Sequence, residues 1–136
     1  MTNSNKILYS VSGNIAILTI NRPERRNALD AETLEQINIL LDRAESDEKV
    51  RVILITGQGD TFSSGFDLKD QMEKAPKGKQ WKPILELDHQ TIMRFWNSPK
   101  PTIAAVKGAC LAGAFELSLA CDFTICSKDS FFGEPE

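Results

Sequence analysis

The chain has 136 residues, 41% of them hydrophobic and 26% charged, with a formal net charge of −3. That length and balance suit one soluble domain with enough apolar material for a single core. The lack of a basic excess argues against a nucleic-acid binder, although a local basic patch is enough to attract a small anionic ligand.

In chain order, Ile7–Val11 and Ile15–Ile20 are short runs rich in β-branched residues, with Ser12, Gly13 and Asn14 between them. They predict a β-hairpin, ended by Asn21, Arg22 and Pro23. Asp30 stands as a helix N-cap. Behind it Leu34, Ile37, Leu41 and Ala44 recur at helical spacing, with Glu32 and Glu35 in the first turns, where the helix dipole favours negative charge. The spacing predicts a helix from about Ala31 to Glu45. Val50–Thr56 is an almost continuous apolar run, the pattern of a buried strand, and Gly57 and Gly59 end it. The segment from Asp70 to Pro83 is polar, carries Lys74, Lys77, Lys79 and Lys82, and reads as a mobile loop or lid. Helical spacing returns over Ile84–Trp96 through Leu85, Ile92, Phe95 and Trp96, and Pro99 and Pro101 stop it. Thr102–Val106 predicts a buried strand, Gly113 to about Ala120 a helix, and Phe123–Cys126 a further strand. Strands and helices alternate after the hairpin, so the expected class is α/β.

Several chemistries lack their residues. The single histidine, His89, falls between Asp88 and Gln90 on an amphipathic helix and reads as a solvated surface residue. No HExxH-type spacing offers a metal site. Gly57-Gln58-Gly59 has no third glycine or helix behind it, and the Gly108–Gly113 gap has no following lysine, so both nucleotide motifs fail. Cys110, Cys121 and Cys126 are odd in number and lack CxxC spacing, as expected of reduced thiols. The N-terminus has no secretory pattern, and no apolar run approaches the ~20 residues of a membrane span. The expectation is a cytoplasmic protein acting neither on nucleic acid nor in a membrane.

Two segments remain. Phe62-Ser63-Ser64-Gly65-Phe66-Asp67-Leu68 follows a buried strand, where α/β proteins bind ligands, and its glycine and small residues allow close backbone approach. It reads equally as a tight loop in which Asp67 caps a short helix. Lys107–Glu116 also follows a strand and runs into a helix whose free N–H groups favour an anionic oxygen. Glu116, three residues after Gly113, suits either a catalytic carboxylate or a capping partner of the helix dipole.

Five stretches occur together in one order: Asn21-Arg22-Pro23 with Asn27-Ala28-Leu29; Val52–Gly57; Phe62–Lys69; Pro101–Glu116; and Ala120-Cys121-Asp122 through Phe132-Gly133-Glu134-Pro135-Glu136. The ordered set resembles the enoyl-CoA hydratase/isomerase, or crotonase, superfamily over nearly the whole chain. The resemblance implies a spiral of ββα units, with this chain as its N-terminal part, truncated before the C-terminal helices that complete the coenzyme A site and build trimers or hexamers. It implies an acyl-CoA thioester as substrate, so that coenzyme A arrives with the substrate and no separate cofactor is needed. By motif position, the backbone N–H groups of Phe66 and Gly113 would hold the thioester oxygen. Ser64, Phe66, Asp67, Leu68 and Lys69 would lie along the substrate, with Lys69 near a phosphate and Arg26 and Ala28 near the nucleotide end. Glu116 and Glu136 match the two glutamates of the hydratase branch, which favours addition of water to a 2-enoyl-CoA or the reverse dehydration. An isomerase using Glu136 alone and a non-catalytic acyl-CoA binder are the alternatives. Ala114, where many hydratases have glycine, and Phe115 are expected to narrow the acyl pocket.

Overall fold

The computed structural model describes residues 5–135. β1 (Ile7–Ser12) and β2 (Ile15–Ile20) form the expected antiparallel hairpin, with Ser12 opposite Ile15. β2 then pairs in parallel with β3 (Val52–Gly57), β3 with β4 (Thr102–Val106), and β4 with β6 (Phe123–Cys126). The five strands make one mixed sheet. β2, β3 and β4 bury alternate residues: Ala16, Leu18 and Ile20, then Ile53 and Ile55, then Thr102, Ala104 and Val106. One face of the sheet is therefore core, as the period-2 geometry of a strand requires. β6 forms the outer edge, with Phe123 and Ile125 exposed on it.

α1 (Ala31–Ser46) begins where Asp30 accepts a hydrogen bond from the Thr33 amide. Its Leu34, Ile37, Leu41 and Ala44 are fully withdrawn from solvent and pack into the core with Leu18 and Ile55. Each large aliphatic buried this way stabilises the fold by roughly 1.5–3 kcal/mol. α3 (Trp81–Trp96) lies between α1 and α4 (Gly113–Ala120). Asn38 joins α1 to Thr91 of α3 at 2.8 Å, and Arg94 of α3 reaches Asp42 and Glu45. Among the described residues no helix is long and apolar enough to cross a membrane.

The structure departs from the sequence expectation in three places. The stretch expected to be a mobile loop holds α2 (Leu68–Lys74), and α3 starts before Pro83. α2 is capped by Asp67, which accepts from the Asp70 amide, and carries a Lys74–Asp70 pair one turn apart. Pro83 falls in the first turn of α3, where an amide would have no partner in any case. Second, Ala109–Leu111 forms β5 and Phe131–Gly133 forms β7, a separate parallel pair. Runs of three residues are too short to show a period. Third, α3 buries Asp88, Thr91 and Phe95, whereas Leu85 and Trp96 are exposed.

Candidate functional site

The loops leaving β3 and β4 are joined to each other and to the turn before α1. The Phe62 and Ser63 amides donate to Lys107 and Ala109, and the Leu111 amide donates back to Ser63. The Ser64 amide donates to Arg26, and Leu29 and Phe66 pair as an isolated parallel bridge. Asn27 fastens this junction. It is fully buried, with a left-handed φ of 55°, and its side-chain amide donates to the carbonyls of Gln58 (2.9 Å) and Thr61 (2.7 Å) while its oxygen accepts from the Arg22 amide. Sequence reasoning quoted Asn27 as part of a motif without finding this role. Its neighbours Glu24, Arg25, Arg26 and Asp30 are charged, so the local sequence carried no signal of its burial, although buried polar groups are held by hydrogen bonds.

Gly65 brings the two loops into contact. Its φ is 97°, and a Cβ there would stand 2.7 Å from the Leu111 carbonyl oxygen and 3.3 Å from the Gly113 nitrogen. Only glycine fits both the angle and the space. Ala112, just before α4, adopts φ 49° and ψ −128°, a conformation that costs an alanine about 1–3 kcal/mol. It is held there by its amide, which donates a hydrogen bond to the Gly133 carbonyl of β7, and by the Phe115 and Glu116 amides, which donate to its own carbonyl. Strain is thus stored where the helix N-terminus opens. Among the described residues, neither the Phe66 nor the Gly113 amide donates a hydrogen bond within the chain. The Phe66 ring lies directly over the Gly113 Cα.

Phe66 and Ala112, the residue before Gly113, line a cavity of about 450 Å³. Ser64, Phe66, Leu68 and Glu116, all expected from the sequence, line it. Pro135 lines it as well, whereas Glu136 falls outside the described residues. α3 supplies a wall of Trp81, Leu85, Asp88, His89 and Ile92. His89 is exposed, as expected, but stands beside this cavity. Ala114 and Phe115 do not line it. Ala114 is sealed in the core, and Phe115 packs against Phe132 with ring centroids 5.6 Å apart. The expectation that they narrow the pocket is corrected on that ground: both side chains pack against the core and neither lines this cavity. Arg26 and Lys69 are exposed outside the cavity wall, and Ala28 is buried, its carbonyl accepting from the Arg22 guanidinium.

Asp67 is committed to the scaffold. Its carboxylate takes Arg25 at 2.9 Å, Arg22 at 3.1 Å and the Asp70 amide, and Arg22 also meets Asp30, which binds Lys6 at 2.7 Å. Burial by itself would raise the Asp67 pKa, but the Asp70 amide and the two guanidiniums outweigh it and hold it below the ordinary value. Asp30 is likewise held down, its burial outweighed by Lys6, Thr33 and Arg22. A carboxyl depressed in the folded state lends stability that is complete above its unfolded pKa and is lost as pH falls through the folded one. The melting temperature should therefore fall steeply only below a pH of roughly 4. Asp67→Ala should lose on the order of 3 kcal/mol at neutral pH, the low end for breaking a buried pair because Arg25 stays a third exposed. It should also flatten the acid slope seen in melts between pH 2.5 and 7.

The thiols offer no nucleophile at neutral pH in the core. Burial pushes Cys110 up to about 11 and Cys121 to about 12. In the cavity, burial first and the charge of Glu116 second push Asp88 up to about 6.

Residues 10–136 match the profile of the family described as Enoyl-CoA hydratase/isomerase. A probable enoyl-CoA hydratase of Bacillus subtilis (strain 168) is 40% identical over 133 residues, covering 97% of this chain and 50% of the relative. A short-chain-enoyl-CoA hydratase of Clostridium acetobutylicum is 33% identical over 97% of this chain and 50% of its own length. The crystal structure of an enoyl-CoA hydratase/isomerase from Xanthobacter autotrophicus Py2 superposes with a TM-score of 0.96 at 58% identity, over 97% of this chain and 49% of that one. The chain spans about half the length of the curated relatives it matches. With a family profile matched over nearly its whole length and the same mixed α/β fold in solved members, the chain belongs to the enoyl-CoA hydratase/isomerase family.

Proposed function

We propose that this chain carries the acyl-thioester site of an enzyme that adds water to a 2-enoyl-CoA, or removes it from a 3-hydroxyacyl-CoA. One observation carries the reading: two backbone amides have no partners among the described residues, that of Phe66, which lines a largely apolar cavity with Glu116, and that of Gly113, which lies against the Phe66 ring and follows the cavity-lining Ala112. Attack at the β carbon drives electrons through the conjugated chain onto the thioester oxygen. Two fixed donors at that oxygen, one of them at a helix N-terminus, stabilise the enolate. The oxygen of water bonds to the β carbon while a carboxylate takes its proton, and the α carbon receives a proton from a second carboxyl. Glu116 fills one of these roles and Glu136, by family position, the other. Coenzyme A belongs to the substrate, and the exposed cations Arg26 and Lys69 are available to its phosphates. Assembly of the complete protein into trimers or hexamers is part of the same proposal.

The test is a direct assay of the complete protein on matched 2-enoyl and 3-enoyl thioesters. The 2-enoyl compound should be hydrated at least tenfold faster than the 3-enoyl compound is isomerised. Conversion of the 3-enoyl compound without water addition would replace the hydratase reading by an isomerase that uses Glu136. Tight binding of both without turnover would reduce the site to a binding pocket.

A further inference from the structure

One buried ionisable group has no part in the chemistry above. Asp88 is only 8% exposed, although Glu86, His89 and Gln90 around it in α3 are exposed. Its neighbours on the cavity wall, Trp81, Leu85 and Ile92, are apolar. Among the described residues nothing hydrogen-bonds to Asp88 and no cation pairs with it, in contrast to the buried Asp30 and Asp67. The Asp88 oxygens keep some contact with solvent, but a carboxyl this far withdrawn without a protein partner is unfavourable for folding, and an apolar residue of the same shape would serve the core as well or better. Such a group in a cavity wall is the usual mark of a ligand contact.

The surrounding charges do not satisfy it. On the cavity side it faces Glu116 of α4, whose negative charge repels it, and His89 of its own helix. On the other side a narrow cleft carries Asp30, Asp67, Asp70 and Lys74. The carboxylates there are already paired with Lys6, Arg22, Arg25 and Lys74. The cavity is the direction from which a partner can come.

We propose that Asp88 is a specificity-determining residue of the acyl cavity, accepting a hydrogen bond from a hydroxyl group carried on the acyl chain. This rests on the acyl-thioester reading of the site. A plain alkyl chain would desolvate Asp88 and leave it unpaired, so the cavity selects against it. A chain ending in a carboxylate would meet Asp88 and Glu116 together and be repelled. Sites built to bond a substrate hydroxyl discriminate strongly against analogues that lack it, because their own polar group is then stranded. Burial and the charge of Glu116 set the pH range of this selectivity. Asp88 is an ionised, strong acceptor above about 6 and a weaker, protonated one below.

The experiment measures kcat/KM of the complete protein on 2-enoyl-CoA thioesters of one chain length. They are the plain chain, chains with a hydroxyl at the fourth, fifth or sixth carbon, and a chain ending in a carboxylate. At pH 7.5 at least one hydroxylated chain should exceed the plain chain by about tenfold or more, and the carboxylated chain should be the poorest. Asp88→Leu, which keeps the volume, should lower the ratio of hydroxylated to plain turnover by about 10- to 100-fold. Asp88→Asn keeps the shape and one acceptor oxygen, so it should retain part of the preference and lose its dependence on pH between 5 and 7. It also serves if the leucine variant fails to fold. A ratio that is the same in the parent and in these variants overturns the assignment while leaving the hydratase reading intact. Absence of both turnover and binding for every thioester overturns the two together.

Discussion

Replacing Glu116 by Gln in the complete protein is expected to lower kcat/KM for a 2-enoyl-CoA by about 10²–10⁴-fold, the usual contribution of a general acid or base, with little change in melting temperature. Glu116 is exposed beside the cavity. Its position in the first turn of α4 makes the bland alternative concrete, a carboxylate that merely favours the helix dipole. That role is worth about 0.3–1 kcal/mol and touches stability, not rate. The two roles therefore predict opposite pairs of results. A glutamine variant that melts earlier but turns over normally would make Glu116 a helix residue and withdraw it from the mechanism. Affinity for an acyl-CoA should survive the substitution, because the amides of Phe66 and Gly113 remain. The variant also reads out Asp88. Loss of the Glu116 charge should lower the Asp88 pKa from about 6, by carboxyl NMR titration, yet leave it above the ordinary value, since burial is the larger cause.

The second large effect belongs to Gly113. Any Cβ at this position would be driven into the Phe66 ring, against its Cε2, Cζ and Cδ2 atoms. The ring must swing into the cavity it lines, or the helix start must retreat from the loop. Either movement displaces an amide that, in the proposed mechanism, must sit within hydrogen-bond distance of the thioester oxygen. Gly113→Ala should therefore cost about 10²-fold in kcat/KM, the size expected of a misplacement of about 1 Å at a reacting centre. The fold should persist, because alanine is the better helix former and the position is helical. Adding Phe66→Ala should recover at least about tenfold by giving the methyl group room. Full activity in Gly113→Ala alone would mean that the contact between ring and glycine has no bearing on the site.

The parts of this molecule that were legible in its sequence are those fixed by near neighbours. The hairpin, α1 with its Asp30 cap, β4, α4 and β6 follow from period, propensity and capping, each acting over a few residues, and the structure places them within about two residues of the expected bounds. Glu116 was legible in the same way, as an acid three residues into a helix that follows a strand. Other features were not, for a common reason. β5 and β7 are three residues each, too short to carry a period, and they pair across twenty-two positions of chain. α2 is a seven-residue helix in a lysine-rich stretch, held by the Asp67 cap and by arginines more than forty residues away. Asp88 sits among charged and polar letters and reads as surface. Its place in the helical row of Leu85 and Ile92 was the one hint otherwise.

Sequence by itself determined the α/β alternation, the two strand-to-helix segments and the candidate acid. It also determined the family, through the order of five motifs. Only the tertiary structure decided which groups share a cavity and which are locked away: that Asp67 serves Arg22 and Arg25, that Ala114 and Phe115 face the core, and that Asp88 joins Glu116. Burial depends on what packs against a side chain from elsewhere in the chain, and a carboxyl's chemistry depends on burial. Local pattern can therefore place an acid on a helix, but only the packing of α3 against α4 makes two acids into neighbours in one site.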